Sequence, residues 1–197
     1  MRIALPLALI LVGLSACSRS APDPSADTAQ DALFSRLSAL CGQAFEGHVA
    51  SDDPRDADWA SQRLVMHVRT CSDDEIRIPL HVGEDRSRTW VVTRLEGGGL
   101  RLKHDHRHAD GSEDVLTQYG GDTLDPPVAG RAAFPADAYS RALFEREGIP
   151  ASMENVWSIT LAGDRFTYAL DRPERHFAAE FDLGAPVAAP PPPWGAE

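Results

Sequence analysis

The sequence predicts a mainly β protein, an antiparallel meander that closes into a barrel or a strongly curved sheet and carries two short helices. Apolar residues recur at every second position in several short segments, and turn residues separate these segments. A parallel sheet would require strands that alternate with long helices, and the sequence shows no such alternation. Because an open meander leaves two strand edges exposed, closure into a barrel is the expected arrangement.

The first helix is predicted over residues 31–41, where Leu33, Phe34, Leu37 and Leu40 fall on one stripe. The apolar period then changes from helical to alternating. The strands expected next cover residues 45–49, 64–68, 76–82, 89–95 and a stretch that begins at Leu100. The Asp110-Gly111 pair predicts a two-residue hairpin turn after the last of them.

The second helix is predicted over residues 136–147, because Pro135 precedes it and Gly148 with Pro150 ends it. Three further strands are expected, at 156–161, 166–170 and 177–183. The whole pattern amounts to one β-rich domain over residues 31–184.

The stretch from Cys41 to Gly47, which follows the first helix, resembles the start of lipocalin-type barrels, with Phe45 in the place of that family's tryptophan. The resemblance implies a lipocalin-like barrel. The domain is also similar to uncharacterised secreted proteins of proteobacteria, a likeness that implies no particular activity.

The chain opens with Met1-Arg2, an apolar run over residues 3–14, and Ser15-Ala16-Cys17, which is typical of a secretory signal. The run is too short to cross roughly 30 Å of hydrocarbon. Leu14-Ser15-Ala16-Cys17 resembles the lipobox of bacterial lipoproteins, which implies removal of residues 1–16 and attachment of lipid to Cys17. An ordinary secretory signal with an accidental cysteine is the alternative.

Lipoprotein sorting resembles a rule in which aspartate after the lipidated cysteine retains the protein on the inner membrane. Ser18 in that position implies an outer-membrane anchor facing the periplasm. Residues 17–30 are small and polar and are expected to form a flexible tether. Residues 185–197 are rich in proline and are expected to form a disordered tail.

Cys41 and Cys71 remain once Cys17 carries lipid, and in an oxidising compartment they are expected to form a disulfide. A pair of metal ligands or a catalytic thiol is the alternative, although neither cysteine stands in a known metal or catalytic motif.

The net charge of −11 excludes nucleic acid as a partner, because nucleic-acid binding needs a basic surface. Between Arg77 and His108, however, seven cations stand against four anions. This locally positive segment is interpreted as a solvated charged face or as the mouth of a site for a small anionic ligand.

The most pointed chemistry lies on the strand that begins at Leu100, where His104, His106 and His108 alternate onto one face. A two-residue turn at Asp110-Gly111 would place His108 opposite Glu113, His106 opposite Val115 and His104 opposite Thr117. Imidazole and carboxylate groups suit zinc or another transition metal. A solvated hairpin tip and a site for an organic anion are the other interpretations.

The chain contains no nucleophile elbow, zinc-protease motif, phosphate loop or dinucleotide fingerprint. The sequence therefore favours a non-enzymatic ligand-binding or envelope-structural lipoprotein. A metal-binding protein or metal-dependent enzyme that uses the histidine strand is the alternative.

Overall fold

Eleven antiparallel strands form one sheet in a computed structural model that describes residues 24–96, 98–128 and 130–196. Strands account for 47% of the chain and helices for 18%, which confirms the predicted mainly β class. The strands are β1 Ala44–Val49, β2 Leu64–His67, β3 Thr70–Cys71, β4 Glu75–Val82, β5 Asp85–Arg94, β6 Leu100–His106, β7 Tyr119–Asp122, β8 Arg131–Pro135, β9 Val156–Ala162, β10 Arg165–Arg172 and β11 Arg175–Val187. The helices are α1 Pro24–Ser38, α2 Ala57–Ala60 and α3 Ala138–Arg146, with 3₁₀ helices at Pro54–Asp56 and Pro150–Glu154.

The strand order is β7-β6-β5-β4-β2-β1-β11-β10-β9-β8, with the short β3 paired beside β4. Neighbours in sequence are mostly neighbours in the sheet, as expected of a meander. The exception is the pairing of β1 with β11, which sets Ala44 opposite Val187 and joins the two ends of the domain.

The sheet is nearly closed into a barrel, and β7 and β8 meet at the seam. A Cβ atom on Gly121 would lie 1.8 Å from the Pro135 carbonyl oxygen, so the two backbones are in direct contact. The Asp137 amide donates to the Gly120 carbonyl at 2.9 Å, just beyond the end of β8. Glycine at 121 is thus required for closure, because a side chain there would hold β7 and β8 apart. A Cβ atom on Gly120 would instead lie 1.8 Å from the Leu102 carbonyl oxygen of the paired strand β6.

Alternate side chains from the strands fill the interior, and α1 closes one end of the barrel. Leu33, Phe34 and Leu37 of α1 are buried in the same apolar cluster as the strand residues. Arg36 fixes the helix by donating to the carbonyl oxygens of Leu161, at 2.8 Å, and Gly163, at 3.2 Å, at the turn from β9 to β10. We call this end the closed end.

Cys41 and Cys71 are joined by a disulfide, as predicted. The bond ties the segment after α1 to β3 and closes a loop with a sequence separation of 30. On the chain-entropy model a crosslink of this length contributes roughly 3.5 kcal/mol to stability.

Several boundaries differ from those expected. There are three short α-helices rather than two, and α1 begins at Pro24, within the stretch 17–30 assigned to the tether, and ends at Ser38 rather than Cys41. The predicted signal segment 1–16 and Cys17 lie outside the described residues. None of the described helices is long and apolar enough to cross a membrane.

The proline-rich segment is ordered against the barrel, where a disordered tail was expected over residues 185–197. Strand β11 continues to Val187. Farther on, the Arg86 guanidinium donates to the Pro192 carbonyl at 2.8 Å, and the Trp194 amide donates to the Arg86 carbonyl at 3.1 Å. Arg69 donates to the Ala196 carbonyl at 3.0 Å, so the tail is held at three points on the outer face of the sheet.

Candidate functional site

The end of the barrel opposite α1 is open and contains a cavity of about 530 Å³, which we call the cup. Strands β5, β6, β9, β10 and β11 bring their inward side chains to it, and α2, α3 and the 3₁₀ helix Pro150–Glu154 form its rim. A cavity of this size is typical of small-molecule sites.

Aromatic rings form the walls and floor of the cup. Trp90 stacks on Tyr168 with ring centroids 4.4 Å apart, and Tyr119 stacks on His104 at 4.5 Å. Trp157 is fully buried beside His104, with centroids 5.1 Å apart. Its indole nitrogen has no hydrogen-bond partner among the described residues.

His104 is buried at the floor, and both of its ring nitrogens are occupied. Nδ1 lies 3.1 Å from the Tyr119 carbonyl oxygen, which can only accept, so Nδ1 carries the proton. Nε2 therefore accepts from the Tyr168 hydroxyl at 2.8 Å. Burial, reinforced by the neighbouring His106, lowers the pKa of His104 to about 3, and the ring is neutral at pH 7.

His106 lies one step nearer the rim, with Nε2 3.2 Å from the Tyr119 hydroxyl. Burial and the positive charge of Arg88 lower its pKa to about 4. Burial also raises the pKa of the Tyr119 and Tyr168 hydroxyls above their usual range. The lower part of the cup thus offers uncharged hydrogen-bonding groups among aromatic rings.

Most charges at the rim neutralise one another. Arg175 pairs with Asp56 and, at 3.1 Å, with Asp53. Arg55 also pairs with Asp53, and its hydrogen bonds hold the pKa of that carboxyl well below its usual range.

Arg88 and Arg172 differ in their partners: Arg88 pairs with a carboxylate, whereas Arg172 bonds to neutral groups. Arg88 pairs with Asp85, and its guanidinium lies 4.9 Å from the centre of the Trp59 ring. Arg172 donates from Nη1 to the Ser152 hydroxyl at 2.9 Å and to the Asn155 side-chain oxygen at 3.4 Å, both of them neutral.

The predicted register of the histidine hairpin is wrong. The Gly111 amide donates to the His108 carbonyl, and Gly111 has a φ of +83°, so the loop has three residues rather than two. Glu113 consequently lies opposite Arg107, not His108.

A second irregularity follows in the same hairpin. The Asp114 amide still donates to the His106 carbonyl, but His104 pairs with Tyr119 instead of Thr117. Three residues, Val115 to Thr117, therefore loop out of the ladder. This excess chain is what brings the Tyr119 ring beside His104.

The four candidate metal ligands do not come together. His104 and His106 enter the barrel, whereas His108 lies beyond the strand with 58% of its side chain exposed. Glu113 pairs with Arg107 at 3.1 Å on the outside. Within the part of the chain that the structure describes, no three histidine, cysteine, aspartate or glutamate side chains are placed to hold a metal ion.

The cations between Arg77 and His108 are mostly used in local ion pairs. Asp105 forms ion pairs with Arg77 at 2.6 Å and with Arg107 at 2.8 Å. Asp122 pairs with Arg101 at 2.6 Å, and Asp137 pairs with Lys103. Of this segment, Arg88 is the cation that reaches the cup. The solvated charged face therefore describes most of the segment better than an anion-binding mouth does.

Sequence reasoning missed Arg172, although a signal for it was present. Phe166, Tyr168 and Leu170 alternate inward along β10, and Arg172 continues the same face. Trp59 on α2 and Ile149, which precedes the 3₁₀ helix Pro150–Glu154, had no such pattern to reveal them.

The arrangement is suited to holding a molecule with a flat apolar body and a few polar atoms. The aromatic walls offer stacking surfaces, and the neutral hydroxyl and imidazole groups offer hydrogen bonds. No family profile, curated protein or solved structure matches the chain.

Proposed function

We propose that this protein is a lipoprotein held by a lipid on Cys17 at the periplasmic face of the outer membrane, and that its cup binds a small organic molecule. The cup is the observation that carries the binding proposal. It combines a volume of about 530 Å³ with aromatic walls, and its floor groups are uncharged at pH 7.

Binding is favoured over catalysis by the state of the floor groups. General acid–base chemistry works best with a group whose pKa lies near the working pH. The pKa values of His104 and His106 lie far below 7, and those of Tyr119 and Tyr168 lie far above it. These groups can orient a ligand through hydrogen bonds but hold their protons fixed.

Calorimetric titration with naphthalene-2-carboxamide tests the proposal, because this probe is flat, apolar and uncharged. We expect binding of one molecule per chain. Ile149→Trp, which adds a large ring at the rim, should weaken binding about tenfold or more by occupying the cavity. Leu124→Trp is the matched control, since Leu124 lies at the closed end and is 79% exposed.

Equal binding by the two tryptophan variants would show that the probe sits elsewhere. Failure of the wild-type protein to bind the carboxamide would overturn the binding proposal.

A further inference from the structure

We infer that the molecule held in the cup carries an anionic head, a carboxylate or sulfonate, that pairs with Arg172. The inference rests on the proposed binding function and assigns it a ligand class. It starts from the four arginines that line the cup, Arg55, Arg88, Arg172 and Arg175. In the described residues, Arg172 is the one among them that forms no ion pair with a carboxylate.

Arg172 is held in place yet keeps donors to spare. Its Nη1 is fixed by the Ser152 hydroxyl and the Asn155 side chain. Nε and Nη2 have no acceptor among the described residues. These two donors lie on one edge of the planar guanidinium, which is the geometry that binds a carboxylate through two parallel hydrogen bonds.

The surroundings favour an anion at this position. Arg172 is half-buried, so its charge is screened less than that of a fully exposed side chain. Asp56 lies in the same cup but is neutralised by Arg175. Asp114, the other carboxylate of the lining, accepts from the Leu116 amide at 2.8 Å and forms no ion pair with Arg172 among the described residues.

Position along β10 gives the ligand its orientation. Arg172, Leu170 and Tyr168 share the inward face, with Arg172 nearest the rim and Tyr168 stacked on Trp90 below. A head group on Arg172 therefore directs an apolar body down toward the stacked rings. The inferred ligand is a flat aromatic acid bound with its charge at the mouth.

The test compares naphthalene-2-carboxylate with naphthalene-2-carboxamide, which has the same shape and no charge. Calorimetric titration of the wild-type protein near pH 7.5 should give about tenfold tighter binding of the carboxylate, since hydrogen bonds to charged groups are the stronger kind. Arg172→Gln should abolish this preference, because it weakens binding of the carboxylate much more than binding of the carboxamide. Arg146→Gln, which removes an exposed arginine outside the cup, should behave as the wild type.

Arg172→Lys keeps the charge and should retain part of the preference, which guards against misreading a folding defect in the glutamine variant. If the wild type binds the two probes equally, the inference fails while the binding proposal stands. If Arg172→Gln weakens both probes to the same extent, Arg172 is a wall of the cup rather than its anion-binding group, and the inference also fails.

Discussion

Three histidines, His81, His104 and the partly buried His106, are neutral in the folded protein because burial removes them from water. Burial lowers the pKa of His104 to about 3, and it lowers those of His106 and His81 to about 4. In the unfolded chain the same groups titrate near 6.5. Above pH 6.5 both states are neutral, and below it the unfolded chain takes up protons that the folded protein refuses. Stability is therefore complete above about pH 6.5 and is lost as the pH falls toward 4.

We predict that the free energy of unfolding decreases between pH 6.5 and 4.5, with each neutral imidazole contributing up to about 1.4 kcal/mol per pH unit. His104→Gln should reduce the dependence of the unfolding free energy on pH by the contribution of one imidazole. Tyr168→Phe breaks the hydrogen bond to the His104 ring but keeps the imidazole buried, so it should destabilise the protein without changing the slope. Urea unfolding at several pH values measures both, and identical slopes in wild type and His104→Gln would contradict the assignment.

For single residues, the sequence predicted which face of a strand a side chain lies on, but it did not predict which residue lies opposite on the next strand. Strand alternation placed His104 and His106 on the inner face with Leu102, and both enter the barrel. Alternation carries no information about how a loop distributes its residues. The three-residue loop and the excess chain from Val115 to Thr117 depend on side-chain bonds, such as that from the His106 amide to the Thr117 hydroxyl at 2.9 Å.

The start of α3 fastens the barrel seam. The Ser140 hydroxyl is fully buried and accepts from the Gly120 amide at 2.7 Å. It also lies 2.9 Å from the Gly120 carbonyl and 2.7 Å from the Asp137 carboxylate, to one of which it donates. Asp137 in turn caps the helix through the Ser140 amide. One turn of helix thus supplies the hydrogen bonds that β7 and β8 do not make to each other.

We expect Ser140→Ala to cost about 1–3 kcal/mol, because the Gly120 amide would be left buried without a partner. Ser61→Ala removes an exposed hydroxyl that bonds the Asp58 carbonyl and should change stability by less than about 0.5 kcal/mol. Denaturant unfolding compares the two. Hydrogen exchange at residues 120–122 adds a local readout, since faster exchange there identifies the opened seam. An equal loss of unfolding free energy in the two variants would contradict the role of Ser140 in holding the seam together.

Longer elements were predicted from the sequence, and the seam was not. The apolar alternation of β4, β9 and β10 and the proline and glycine limits of α3 all identified real elements. Strand β7, in contrast, reads Tyr-Gly-Gly-Asp, and glycine is depleted in strands. Gly121 is needed for the close approach to Pro135 and Gly120 for the close approach to Leu102. Both are properties of the neighbouring backbone and cannot be read from a local pattern.

The whole molecule combines a barrel, a disulfide and a tail bound along its outer face. The barrel and the disulfide followed from pattern and from cysteine number. The docked tail did not, because proline content predicts an extended backbone but cannot reveal that Arg69 and Arg86 offer partners to its carbonyl groups. The proposed anchor lies at the other end of the chain and rests on the sequence from Leu14 to Cys17.

We predict that Cys17→Ala abolishes membrane attachment, because it removes the thiol that would receive the lipid. Fractionation of cells should find the wild type with the outer membrane and the variant unprocessed or soluble. Ser20→Ala, a neighbouring change outside the lipobox, should leave the distribution unchanged. A variant at Cys17 that still fractionates with the outer membrane would refute the anchor.

The placement of α1 has a consequence for the direction from which a ligand could enter the cup. The helix covers the floor side of the barrel, whereas Arg172, Ile149 and Trp59 surround an opening on the opposite side. If the chain is anchored through Cys17 as proposed, the anchor joins the barrel at the end that α1 covers, and the cup opens at the other end. A ligand would then enter the cup from the surrounding solution rather than from the lipid surface.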